Sequence, residues 1–248
     1  MRGRKSMEKL RRQIQHDTGW TAVSLQYPST RQPIIELAKG VATEVQDLVS
    51  KGEHTSVWAV THSLGGVVQR HIMGLHDQGG VQWSGIVMIA PPNQGSTVAR
   101  QMSSLPGMGK LFQLLYGSAG VELGAEMAEG DVWPDPPQPC GIIAGTQSLA
   151  LTNPTSWLTT LFHMIPGPND GTVALEETKL GASFEADCVQ LNLPHTTMAS
   201  AAEVAPLVVD FLMNALACSQ VLAARAAECL DPVLPGPLNH QQQRFEHR

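Results

Sequence analysis

The chain has 248 residues, 42% of them hydrophobic and 15% charged, with a formal net charge of −6. That composition suits one large α/β domain with a substantial core and excludes a disordered chain. The acidic balance excludes a general nucleic-acid binder, and no run approaches the roughly 18–20 continuous apolar residues of an integral membrane segment.

In chain order the segments alternate between helix-like and strand-like, which predicts a mostly parallel sheet with helices on both faces. The opening MRGRKSMEKLRRQIQ is basic, but Met7, Leu10 and Ile14 share one face, so an amphipathic helix over Ser6–Gln15 is expected rather than a targeting segment. No secretory h-region is present near the start; the cytoplasm is the favoured compartment, with organelle targeting left open. TAVSLQYP (21–28) reads as a strand running into a turn at Pro28. Ile34, Leu37, Ala38, Val41, Val45, Leu48 and Val49 recur at helical spacing up to Gly52, a good terminator. TSVWAV (55–60) is a short buried strand, and VVQRHIMGLH (67–76) a helix after it. SGIVMIA (84–90), CGIIAG (140–145) and ADCVQLNL (186–193) read as further strands. Val204, Leu207, Val208, Phe211, Leu212 and Ala215 mark the face of a closing helix.

Two stretches break the alternation. Residues 93–139 hold LFQLLY and then the proline-rich VWPDPPQP, a length that predicts a cap-like insertion. Residues 219–248 begin as an alanine-rich helix and end as a loose tail. The expected organisation is one domain over residues 1–217, followed by a C-terminal helix and tail over 218–248. Cys140, Cys188, Cys218 and Cys229 form no CxxC pair, so they are expected to be reduced and buried as small apolar residues.

The chemistry gathers at THSLGG (61–66), between a strand and a helix. A serine hydroxyl is a weak nucleophile that needs a base, a group to orient that base and donors for the oxyanion. A tight strand-to-helix turn lifts Ser63 above the sheet and sets it at a helix N-terminus. Thr61 stands where the G-x-S-x-G pattern has its first glycine, while Gly65 and Gly66 keep the small residues on the other side. The acid and the histidine should follow in that order. IPGPNDGTV places Asp170 after the third strong strand, although Asn-Asp-Gly is also turn chemistry in its own right. LPHTTM places His195 just past the last strand. The expected roles are nucleophile for Ser63, base for His195 and orienting acid for Asp170, with the Leu64 N–H as one oxyanion donor. His62 is expected to be structural and directed away from Ser63, and Asp187 is the backup acid. His71 and His76 are five residues apart, unlike the i,i+4 pair of a helical zinc site, and no metal or cofactor is expected.

With THSLGG (61–66), IAPPNQGS (89–96), PGPNDGTVALEETKL (166–180) and LPHTTM (193–198), the chain resembles the lipase- and esterase-like branch of the α/β-hydrolase superfamily over roughly Ser6–Leu216. The resemblance implies Ser63, Asp170 and His195 as a triad and ester hydrolysis without a cofactor. It implies acyl esters, often lipids, as substrates. Leu105, Met108, Leu111, Phe112, Leu115 and Tyr116 from the insertion, and Trp157, Leu158 and Phe162 before Asp170, could line the acyl site, though core packing accounts for them equally.

The resemblance also implies a strand and an oxyanion loop, often with a His-Gly pair, ahead of the first helix; MRGRKSMEKL holds neither. The expected form is therefore an α/β-hydrolase fold truncated at its N-terminus. The TAVSLQYP and TSVWAV strands should then stand about 9–10 Å apart, two strand spacings. A shortened version of a longer protein is the favoured reading; a short form that pairs the two strands directly, and a strand supplied by a partner, are the others. Alternative functions are a catalytically impaired binding module and an acyltransferase or thioesterase using the same three residues.

Overall fold

A computed structural model of the chain describes residues 5–52, 54, 56–104, 117–124, 133–149, 154–161, 164–181, 184 and 186–230. Four strands form one all-parallel sheet in the order β1-β2-β3-β4: β1 (Val57–His62), β2 (Trp83–Ile89), β3 (Cys140–Gly145) and β4 (Asp187–Leu191). β3 is buried along its whole length, and β2 is buried from Gly85 onward. Parallel strands covered on both faces favour such unbroken apolar runs. β4, at one end of the sheet, is exposed from Asp187 to Gln190.

The helices are α1 (Lys5–Thr18), α2 (Ile34–Gly52), α3 (Leu64–Met73), α4 (Thr97–Ser104), α5 (Pro154–Leu161) and α6 (Val204–Leu230). α2 has the bounds its periodicity predicts and buries Ile34, Leu37, Ala38, Ala42 and Val45. Ile34, Leu37, Ala38 and Ala42 join Val67, Val68 and Ile72 of α3 in one apolar cluster, with Tyr27 and Leu64 packed against it. Gly141 of β3 leaves room for the Phe211 ring, whose atoms would lie 3.1–3.3 Å from any β-carbon there. The chain divides into two units, Met1–Phe211 and Leu212–Arg248; among its described residues the second is the continuation of α6 to Leu230. No helix among the described residues is long and apolar enough to cross a membrane.

Three expectations are corrected. Residues 21–28 form no strand. Val23 is 54% exposed, and the segment pairs with none of the four strands. It lies near β1 all the same, since the Trp20 and Trp58 rings are 6.3 Å apart between centroids. Alternating apolar residues make a strand only where a neighbouring backbone accepts the ladder, and none among the described residues does so here. Second, no helix break occurs near residue 217: α6 runs through it, because its alanine-rich second half contains neither glycine nor proline. Third, Cys188 and Cys218 are exposed, and of the cysteines expected to be buried Cys140 is, with burial pushing its thiol up to about 12.

Candidate active site

The parallel sheet delivers its strands' C-terminal ends to one rim, where open α/β sheets place their sites. β1 ends at His62, β2 at Ile89, β3 at Gly145 and β4 at Leu191. Ser63 sits in the corner between β1 and α3 with φ 55° and ψ −126°. A non-glycine residue at positive φ costs roughly 1–3 kcal/mol and holds only where its surroundings fix it. Here the Ser63 N–H donates to the Ile89 carbonyl (2.8 Å), and the Ser63 carbonyl accepts the Gly66 N–H (3.0 Å). The glycines are set by space: a β-carbon on Gly66 would come within 2.9 Å of Met88 Cε and 3.1 Å of Pro91 Cβ.

The loop after β3 and the turn after β4 meet at this corner. Asp170 and His195 are 1% and 8% exposed. His195 Nε2 is 3.0 Å from Ser63 Oγ, and His195 Nδ1 is 2.7 Å from Asp170 Oδ2. The other carboxylate oxygen, Oδ1, accepts the N–H groups of Thr172 (3.0 Å) and Val173 (2.7 Å). The backbones are tied as well, with the His195 N–H donating to the Asp170 carbonyl (2.9 Å). A carboxylate can only accept, so His195 carries its proton on Nδ1 and presents a bare Nε2 lone pair to the serine hydroxyl. The arrangement is a relay able to withdraw a proton from Ser63.

The amides of Leu64 and Gly65, on the first turn of α3, have no acceptor among the described residues. They are orphan donors at a helix N-terminus, where negative charge is favoured. Glu177, 5% exposed, braces the surrounding loops by accepting the N–H groups of Thr97 and Ala174.

His62, expected to be structural, reaches the site through His195. Its Nε2 is 3.1 Å from the His195 carbonyl oxygen, and the two rings lie 4.9 Å apart at 39°. A carbonyl accepts only, so Nε2 of His62 carries a proton. Asp187 is exposed and pairs with Gly141 at the opposite, N-terminal end of the sheet, so it cannot serve as the acid. His71 turns its Nδ1 to the Val67 carbonyl, and His76 is exposed beside Asp77. The expected lining residues Leu105, Met108, Leu111, Phe112, Leu115, Tyr116 and Phe162 lie outside the described residues, as does the side chain of Leu158; Trp157 is half exposed on α5.

A buried cation escaped the sequence reading. Arg70, 4% exposed on α3, donates Nε to the Pro134 carbonyl (2.8 Å), Nη1 to the Asn93 carbonyl (3.0 Å) and Nη2 to the Trp133 carbonyl (2.8 Å). Burial lowers its pKa to about 10, so it remains cationic at neutral pH. Its only signal was a charge at a position between Val68 and Ile72 on an otherwise apolar helix.

No protein-family model matches the chain, and no curated protein matches it. Solved structures do. The mature form of the Bacillus licheniformis lipase BlEst2 superposes with a TM-score of 0.64 at 15% identity, covering 85% of this chain and 87% of that one. Its propeptide form gives 0.64 at 15% identity, covering 84% of this chain and 48% of that longer one. The phospholipase PlaB from Legionella pneumophila, in complex with thio-NAD, gives 0.53 at 16% identity, covering 87% and 60%. The chain thus spans about half of the propeptide form and under two thirds of PlaB. The fold is that of the α/β hydrolases.

Proposed function

We propose that the protein is a serine hydrolase of carboxylic esters, with acyl or lipid esters as its substrate class. The observation that carries this reading is the unbroken chain Asp170 Oδ2–His195 Nδ1, His195 Nε2–Ser63 Oγ at 2.7 and 3.0 Å, set on the strained corner before α3. Ser63 Oγ attacks the ester carbonyl while His195 Nε2 takes its proton. The carbonyl oxygen becomes an oxyanion facing the Leu64 N–H. The tetrahedral intermediate collapses, His195 protonates the departing alcohol, and an acyl-Ser63 remains. Water, deprotonated by the same histidine, then releases the acid. Asp170 holds the Nδ1–H tautomer and balances the imidazolium. The choice of ester rests on the fold shared with a lipase and a phospholipase.

The test is labelling of the purified chain with a fluorophosphonate probe. Wild type labels, Ser63→Ala does not, and a series of p-nitrophenyl esters ranks the acyl length. Folded wild type that resists the probe overturns the reading.

His62 offers a finer check on the base. A phenylalanine there keeps a ring against His195 but lacks the N–H; a glutamine carries an amide N–H at the same number of bonds from the backbone. His62→Phe is expected to slow labelling about 10-fold, the scale of losing a hydrogen bond of about 1–1.5 kcal/mol, and His62→Gln to recover most of it. Equal rates in all three proteins would show that the bond to the His195 carbonyl does not matter to the base.

A further inference from the structure

The helix beside the acid loop is turned inside out. On α5, Ser156 and Thr159 are buried, whereas Trp157 is 50% exposed and Thr160, one turn on, is exposed as well. The hydroxyl residues lie inside because they hold the loop that carries Asp170. Thr159 Oγ1 donates to the Gly171 carbonyl (3.1 Å), and a β-carbon on Gly171 would collide with Ser156 Cβ and with the Ser148 carbonyl oxygen. Ser148 belongs to the loop after β3, whose Gln147 N–H donates to the Leu193 carbonyl (3.4 Å), two residues before His195. The next residue in that loop, Leu149, is as exposed as Trp157. Two exposed apolar side chains therefore each follow a residue packed against Gly171, next to the proposed acid. The other exposed residues of these segments, Gln147, Thr160, Pro166 and Pro168, are uncharged. Residues 136–169 hold no Asp, Glu, Lys or Arg, in a chain that is 15% charged. The next charges along the chain are the buried Asp170 and Glu177, and the exposed Glu176 and Lys179, which pair at 2.8 Å.

We infer that Leu149 and Trp157 dock the protein on a neutral or zwitterionic lipid surface, with α5 lying at the boundary between headgroups and acyl chains. The choice of lipid rests on the ester-hydrolase reading, which this surface extends by showing where an ester held in a lipid layer would be met. Apolar side chains outside and hydroxyls inside reverse the pattern that folding favours, so the reversal calls for a use of the exposed face. A tryptophan suits such a boundary, because its ring is apolar and its N–H still finds a polar partner. A protein partner would be expected to meet a rim of charged side chains, and this stretch offers none. An anionic membrane is a poor match for the same reason, since no cation is present in the stretch to meet it and the chain as a whole carries −6.

The test is co-sedimentation of the full chain with sucrose-loaded phosphatidylcholine vesicles, carried out in Ser63→Ala so that no ester is cleaved. The Ser63→Ala protein is expected to sediment with the vesicles, and less when phosphatidylserine replaces part of the lipid. Adding Leu149→Asp or Thr160→Asp puts a charge on the docking face and should weaken partitioning about 10-fold. Leu48→Asp makes the same change at an exposed leucine near the end of α2, ahead of β1 and so at the opposite end of the sheet, and should leave partitioning unchanged. Thermal midpoints establish that each variant is folded, and two separate charge insertions keep the test valid if one of them is not. A folded protein that stays in the supernatant, or one that sediments equally with and without the charges at 149 and 160, would overturn the inference. Fluorophosphonate labelling of the wild-type chain judges the hydrolase reading separately: a chain that labels but does not sediment keeps its hydrolase reading and loses this surface. A chain that sediments through Leu149 and Thr160 but does not label keeps the surface and loses the hydrolase reading.

Discussion

Asp170→Asn is expected to lower kcat about 10⁴-fold while leaving the fold in place. The size of the effect follows from which oxygen does what. Oδ1 receives two backbone N–H groups, from Thr172 and Val173, and Oδ2 receives the His195 proton. An asparagine has one accepting oxygen and one donating nitrogen. Two backbone donors fix the oxygen at the Oδ1 position, because a flip would set an NH₂ group against both. The NH₂ must then face His195 Nδ1. The imidazole can satisfy it only by accepting there, which moves its own proton to Nε2, the atom that must take the proton of Ser63. The variant therefore keeps every heavy atom near its place and loses the base. Circular dichroism should match wild type, and fluorophosphonate labelling should slow in parallel with ester turnover. More than about a tenth of wild-type kcat in Asp170→Asn would mean that the serine is activated in some other way.

The same carboxylate shows how much of the site could be read in advance. Ser63, Asp170 and His195 are legible because each sits in a short pattern, and the order acid then histidine follows from strands delivering their loops to one rim. The sheet was legible for a related reason: β3 has the bounds of CGIIAG, and α2 those of its apolar period, since local composition and burial agree there. TAVSLQYP fails on a different count. It has the composition of a strand, but a strand is a relation between two backbones, and no single segment states whether the other is present. α6 runs on where the sequence reads as two separate helical stretches, because nothing between Ala215 and Gln220 breaks a helix. The contacts that went unread are long-range ones. His62 meets a carbonyl 133 residues away, and Arg70 meets three carbonyls lying 23 to 64 residues further along. Nothing in THSLGG or VVQRHI names those partners.

Arg70 carries the largest stability effect expected of a single side chain outside the site. Its guanidinium spans the carbonyls of Asn93, Trp133 and Pro134, joining α3 to the turn after β2 and to the strand-entry segment before β3, and it lies 5.6 Å above the Trp133 ring. These carbonyls belong to irregular backbone, so no sheet or helix ladder supplies them with donors. Arg70→Met keeps an unbranched apolar stem and removes the donors. Each orphaned buried carbonyl costs about 1–3 kcal/mol, and relief of the buried charge returns part of that. The net loss should be about 3 kcal/mol, read as a urea midpoint lowered by about 1 M with an unchanged slope. Arg70→Lys should fall between the two, since a single ammonium cannot reach three carbonyls fanned around a planar fork. The folded fraction of Arg70→Met should still label at the wild-type rate, because Arg70 makes no bond to Ser63, His195 or Asp170. A methionine variant within 0.5 kcal/mol of wild type would mean that water or a backbone shift satisfies the carbonyls. A stable variant that labels slowly would place Arg70 in the support of the serine corner instead, through the stretch of α3 that separates it from Ser63.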